Sequence, residues 1–130
     1  MPKIAIVMAI HTPDHAFLRE QIQSLAHQTV ADFQVIFVIA DTTSHAIVTD
    51  MADEDDIRYR IVDPKTPLNP VQAFEVGLTE ALKTDADYFA CCDQDDIWRE
   101  DRLERGIAAL ADPDVLMSHS DARIVNADGM

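Results

Sequence analysis

Three carboxylates, Asp93, Asp95 and Asp96, stand around Gln94 directly after the apolar run Tyr88-Phe89-Ala90-Cys91-Cys92. Like charges this close repel one another unless a cation sits among them or one of them holds a proton. Mg2+ and Mn2+ prefer oxygen ligands and often take only one or two carboxylates, phosphate oxygens completing the shell. Two readings of the spacing stay open. One is a metal and diphosphate site; the other is a solvated loop running into a helix start, where acidic residues are favoured by the helix dipole.

The elements around this loop predict where it lies. The run before it has the length and composition of a buried strand, and open α/β sheets collect their ligands beyond the carboxyl ends of strands. Residues 3–10 (KIAIVMAI) are continuous and apolar, as a first strand buried on both faces requires. Thr12 is placed to cap the next helix with Pro13 at its first position, and Leu18, Ile22 and Leu25 follow at helical spacing. Residues 33–39 (FQVIFVI) predict a second strand ending in the polar loop Ala40-Asp41-Thr42-Thr43-Ser44-His45. A weakly helical piece around Ala46, Ile47 and Val48 leads to Asp53-Glu54-Asp55-Asp56, read as a solvated turn.

Residues 57–62 alternate apolar and basic side chains, the pattern of a half-exposed outer strand. Pro64, Pro67 and Pro70 make a rigid loop, Asn69 can cap the helix that Pro70 opens, and Val71, Phe74, Leu78 and Leu82 give that helix one apolar face. Gly77 within it points to close packing, or else to the close approach of a ligand. After the acidic loop come Trp98, read as a core residue or a wall of the site, and a helix over residues 100–110. A short strand over 115–118 and a turn at 126–129 are expected last. The β-α-β order implies an α/β fold with a mainly parallel sheet. Its carboxyl edge would gather His11 and Thr12, Ala40 and Asp41, and the 93–96 loop.

Composition narrows the classes. A chain of 130 residues with 48% hydrophobic content reads as a single domain with a real core. Its 10 Lys and Arg against 24 Asp and Glu give a charge of -14, which argues against nucleic-acid or anionic-membrane binding. The same charge means that an anionic nucleotide needs a metal between itself and the acidic cluster. Cys91 and Cys92 are adjacent and read as core thiols of a reducing compartment. No apolar run approaches the ~20 residues of a membrane span and no signal peptide is visible, so a cytoplasmic location is expected. The five histidines (His11, His15, His27, His45, His119) form no i, i+4 pair on a predicted helix, which argues against zinc. Three glycines provide no phosphate-cradling loop. A phosphoacceptor receiver domain would need an acidic pair after the first strand and a late Lys, and the sequence has neither.

Asp-Gln-Asp-Asp-Ile-Trp with Asp101-Arg102-Leu103-Glu104 beyond it resembles the DxD region of family 2 glycosyltransferases with the GT-A fold. Three further stretches resemble the family in the same order: Ile6 to Ala9 with Leu18 to Leu25 and Gln28-Thr29, then Phe74 to Leu78, then Ser120 to Val125 with Asp128-Gly129. The resemblance implies a Rossmann-like nucleotide-diphospho-sugar transferase domain over residues 1–130, the donor-binding half, with Mg2+ or Mn2+ as cofactor. It implies Asp95 as the metal ligand and Asp93 at the metal or the ribose. Ala9, His11 and Thr12 would meet the base and ribose, and Asp121 the sugar pocket.

Two departures stand out. Where the family commonly carries two acids and Gly-Ser after the second strand, this chain has Ala40-Asp41-Thr42-Thr43, leaving Asp41 as the remaining acid. Where the family often has a base-stacking Tyr, it has His11. The implied activity is inverting transfer of a sugar from a UDP- or dTDP-sugar to a glycan or lipid-linked acceptor. Its catalytic base is expected in an acceptor-binding half that cannot be assigned here. A non-catalytic nucleotide-sugar-binding or assembly module is the alternative. The expected location is cytoplasmic, peripheral to the inner face of the membrane. Self-association is expected through apolar surface that the missing half would cover.

Overall fold

A computed structural model describes residues 3–115, 117 and 118. Four parallel strands, β1 (Ile4–Ile10), β2 (Phe33–Ile39), β3 (Tyr59–Val62) and β4 (Tyr88–Cys92), lie in the order β3-β2-β1-β4. They alternate with helices α1 (His15–Ala26), α2 (Thr42–Glu54) and α3 (Pro70–Ala81), and α4 (Arg102–Leu110) follows β4. The α/β reading with a parallel sheet is borne out.

Successive side chains of a strand point to opposite faces, so the sheet has two apolar surfaces to cover. On one face Ile4, Ile6, Met8 and Ile10 of β1 join Val35, Phe37 and Ile39 of β2. Leu18, Ile22 and Leu25 of α1, Val48 and Met51 of α2 and Leu103 of α4 cover them. On the other face Ala5, Val7, Ile36 and Val38 meet Ala73 and Ala81 of α3. A Cβ built on Gly77 would collide with Val7 and come within 3.1 Å of Val38 Cγ2, so α3 lies close on β1 only because Gly77 has no side chain. Close packing explains that glycine.

The register sets where the loops emerge. Ile10 pairs with Ile39, whereas the β1–β4 ladder ends at Met8 with Cys92. The loop after β4 therefore starts beside Ala9 and Ile10, and the loop after β1 starts just beyond them.

Several boundaries differ from expectation. The cap of α1 is Asp14, whose carboxylate accepts from the Phe17 N–H at 3.1 Å, and not Thr12, which adopts φ 37° two residues earlier. Asp is as good a cap as Thr, and the chain is still turning at Thr12. The weak piece after β2 is the 13-residue helix α2, whose side chains Val48 and Met51 face the core; Asp53 and Glu54 end this helix, and the turn falls at Asp55 and Asp56 (φ 56°). Capping and burial outweigh its poor helix propensity. Helix α4 begins at Arg102, later than expected. Asn69 caps α3 in a full capping box with Pro70 at its start, and Trp98 is core, 5% exposed with the Arg102 guanidinium 4.6 Å above its ring.

The strand before the acidic loop is not buried on both faces. Among the described residues β4 pairs with β1 alone, and Phe89 (41% exposed) and Cys91 stand uncovered because α3 sits over β1 and β2. Only Cys92 is a core thiol. Val115, Met117 and Ser118 carry no strand. Leu116 and residues 119–130, with His119, Asp121 and the turn at 126–129, lie outside the described residues.

Candidate functional site

Glutamines assemble the carboxyl edge. Gln21, on the buried side of α1, is fully enclosed. Its Nε2 donates to Cys92 Sγ at 2.8 Å and to the Asp93 carbonyl at 2.9 Å, while its Oε1 accepts from Ser24 Oγ at 2.6 Å. Ser24 Oγ in turn accepts from the Trp98 N–H at 3.1 Å. One turn further, Gln28 donates to the Arg99 carbonyl at 2.7 Å and accepts from the Leu103 N–H at 3.1 Å. Helix α1 and Gln28 just beyond its end thus hold the backbone from Asp93 to Leu103 at its start, middle and end. A loop between a strand and a helix leaves backbone groups that must find partners when buried, and side-chain amides supply both donor and acceptor.

Gln94 makes the second junction. Its Oε1 accepts from the His11 N–H and its Nε2 donates to the His11 carbonyl, both at 2.9 Å. The acidic loop and the loop after β1 are therefore fastened directly to each other.

The carboxylates within this frame are exposed, and they crowd. Asp96 has its pKa raised, first by partial burial and then by the charges of Asp93 and Asp95, with Arg102 opposing. Asp93 and Asp96 are near enough to share a hydrogen bond when one is protonated. Among the described residues no three His, Cys, Asp or Glu side chains form a ready metal cage. The donor set is hard oxygen from a crowded acidic loop open to solvent. That fits a cation such as Mg2+ or Mn2+, which keeps most of its shell for water and phosphate, and not a closed protein cage.

The remaining expected site residues divide. Ala9 pairs with Val38 just past the last β4 rung, and His11 and Thr12 are exposed at the edge. Asp41 also lies at this edge, but it caps α2: its Oδ2 accepts from the Ser44 N–H at 2.9 Å. Hydrogen bonds from the Ser44 side chain and backbone hold Asp41 below the ordinary carboxylate range. A lowered carboxyl pKa contributes stability that is present above about pH 4, its unfolded value, and lost as pH falls through the folded one. Asp41→Ala is expected to cost about 1 kcal/mol at pH 7 in urea unfolding. The difference from the parent should shrink toward zero as pH falls through the lowered folded-state pKa; a difference that stays constant would refute the cap's role.

Burial pushes the Cys92 thiol well up, and Cys91 is raised as well, so neither is poised as a nucleophile. The signal for Gln21 and Gln28 was available in the sequence: with Ser24 they occupy i, i+3 and i+7 beside the apolar stripe of Leu18, Ile22 and Leu25.

The family model for glycosyl transferase family 2 matches residues 5–128, nearly the whole chain. The chain belongs to glycosyltransferase family 2. An "uncharacterized glycosyltransferase" of Haemophilus influenzae is 24% identical over 99% of this chain and 50% of its own length. The succinoglycan biosynthesis protein ExoW of Rhizobium meliloti is 31% identical over 79% of this chain and 32% of its own. The chain thus spans half of the first of these curated relatives and about a third of the second. Among solved structures, S. aureus TarS superimposes with a TM-score of 0.68 at 19% identity, over 85% of this chain and 20% of TarS. TarS 1-349 in complex with UDP-GlcNAc gives a TM-score of 0.68 at 18% identity, over 85% of this chain and 31% of that one. The GT-A fold of this family 2 chain follows. No helix among the described residues is long and apolar enough to cross a membrane.

Proposed function

We propose that this family 2 chain binds the nucleoside-diphosphate part of a nucleotide sugar at the carboxyl edge of its sheet, together with Mg2+ or Mn2+. The observation that carries the reading is the direct fastening of the 93–96 loop to His11 by Gln94. It sets an oxygen-rich acidic loop beside the exposed residues His11 and Thr12, in a chain of this family. TarS 1-349, a protein of the same fold, forms complexes with UDP-GlcNAc and with UDP, which favours a UDP-sugar, with a dTDP-sugar as the other pyrimidine donor.

In this reading Asp95 and Asp93 hold the cation, and Asp96 adds negative charge behind them. The cation, when bound, supplies Lewis-acid stabilisation of the diphosphate as it departs. The chain's own residues bind and orient. Ala9, His11 and Thr12 line the base and ribose, Asp41 stands at the base end, and the family resemblance assigns Asp121, outside the described residues, to the sugar pocket. The reaction class is inverting transfer to a hydroxyl of a glycan or lipid-linked acceptor, with the general base supplied by an acceptor-binding half. ExoW, named for succinoglycan biosynthesis, supports a polysaccharide product. The working location is the cytoplasmic face of the membrane.

Calorimetric titration of the purified chain with UDP, dTDP and GDP, each with and without Mn2+, tests this. UDP is expected to bind only with Mn2+, and Asp95→Ala to weaken that binding at least about ten-fold. Absence of binding under every condition would overturn the donor-site reading in favour of a non-catalytic assembly module. Self-association is supported by the uncovered Phe89 and the unpaired outer edge of β4 among the described residues. Light scattering that reports a monomer at high concentration would count against it.

A further inference from the structure

We infer that Gln94 is a positioning residue. By binding both backbone groups of His11 it keeps the nucleoside-side loop in register with the acidic, diphosphate-side loop, so that a nucleoside diphosphate is gripped at both ends. The inference rests on the donor-site reading above.

The geometry is specific. The β1–β4 ladder stops at Met8 with Cys92, and two residues later the Gln94 amide takes over. It accepts from the His11 N–H and donates to the His11 carbonyl, 83 positions away in sequence, as another rung of the sheet would. Gln94 is only half-buried at the loop edge, unlike the fully enclosed Gln21. Immediately after His11, Thr12 adopts φ 37°, a left-handed conformation that a β-branched residue keeps only when its surroundings force it. Gln94 is the side chain that fixes the residue before it. On its other flank, the Asp93 carbonyl is held by Gln21. Gln94 therefore sits between two of the acidic side chains while gripping the opposite loop.

A nucleoside diphosphate spans both loops, whereas inorganic pyrophosphate with Mn2+ needs the acidic one alone. Removing the Gln94 bonds should therefore weaken the nucleotide and spare pyrophosphate. A residue that merely supports the fold would not separate the two.

The test uses Gln94→Met, which keeps the length and loses both bonds, and Gln94→Glu, which keeps the acceptor and loses the donor at neutral pH. Amide hydrogen exchange at His11 is followed in the ligand-free chain, beside calorimetry with UDP and with pyrophosphate, each with Mn2+. With Gln94→Met the His11 amide should exchange about ten-fold faster and UDP bind about ten-fold more weakly, while pyrophosphate stays within about two-fold. With Gln94→Glu the His11 amide should stay protected. Unchanged His11 exchange in Gln94→Met, or equal weakening of UDP and pyrophosphate, would overturn the inference. If the parent chain binds neither ligand, the donor-site reading fails on that result, and the exchange rates alone decide whether Gln94 holds the loop.

Discussion

Gln21→Ala is expected to destabilise the chain by about 3 kcal/mol in urea unfolding, among the largest effects of any single polar substitution in this fold. The side chain is completely enclosed between α1 and the end of β4. Truncation opens a cavity where the amide was, in a core that relaxes only in part. It also leaves the Asp93 carbonyl without its Gln21 donor at the point where the acidic loop leaves the sheet. Ser24 is less affected, because its hydroxyl also donates to the Gln21 backbone carbonyl at 2.6 Å.

Gln21→Leu separates the two costs. Leucine fills most of the volume, so its expected cost of about 1–2 kcal/mol is that of a carbonyl left with only the weak Cys92 thiol donor at 3.4 Å. If alanine and leucine variants both unfold within about 0.5 kcal/mol of the parent, the α1 clasp has no energetic weight. Dependence of m on the substitution would instead signal a loosened native loop.

How much of this was legible beforehand follows from which forces act locally. β1 and β2 could be read from their letters because a strand covered on both faces needs an unbroken apolar run, which β1 has throughout and β2 has from Val35 to Ile39. The capping box of α3 was legible for the same reason: Asn69, Pro70 and Gln72 interact within one turn. β4 misled because its run is as apolar as the others, yet whether a face is covered depends on where α3 lands, and Gly77 places α3 against β1.

The acidic loop was visible as chemistry, while the glutamines that hold it were visible only as a spacing. A buried Gln is rare, and what Gln21 and Gln28 bind emerges only once α1 is packed against the loop. Asp41 was legible as an acid at a strand end, but its duty as the cap of α2 needed that helix to be recognised first. The resemblance to family 2 filled part of this gap, since it pointed at both loops before any contact between them was known.

The two helical glycines should respond with opposite signs to the same change. In α3, Gly77→Ala gains about 1 kcal/mol of helix propensity but drives a methyl group into Val7, a fully buried residue of β1 whose β-branched side chain has little rotamer freedom. Val38 crowds the same point from β2. Overpacking of this kind costs about 1–3 kcal/mol and occasionally more, because α3 must lift from the sheet, so a net loss of about 2 kcal/mol is expected. In α4, a Cβ on Gly106 would meet, among the described residues, nothing nearer than Ser118 Oγ at 3.7 Å, an ordinary contact. Gly106→Ala should therefore stabilise by about 0.5–1 kcal/mol.

A double-mutant cycle with Val7→Ala ties the first result to its cause. The methyl group that Gly77→Ala adds should be tolerated once Val7 is trimmed, giving a coupling of at least about 1 kcal/mol between the two positions. Additive effects would mean that the cost arises elsewhere, and a Gly77→Ala variant more stable than the parent would refute the close contact of α3 with β1. Thermal melts of the three single variants and the double decide it, because a change of about 1 kcal/mol moves the midpoint by several degrees in a domain of this size.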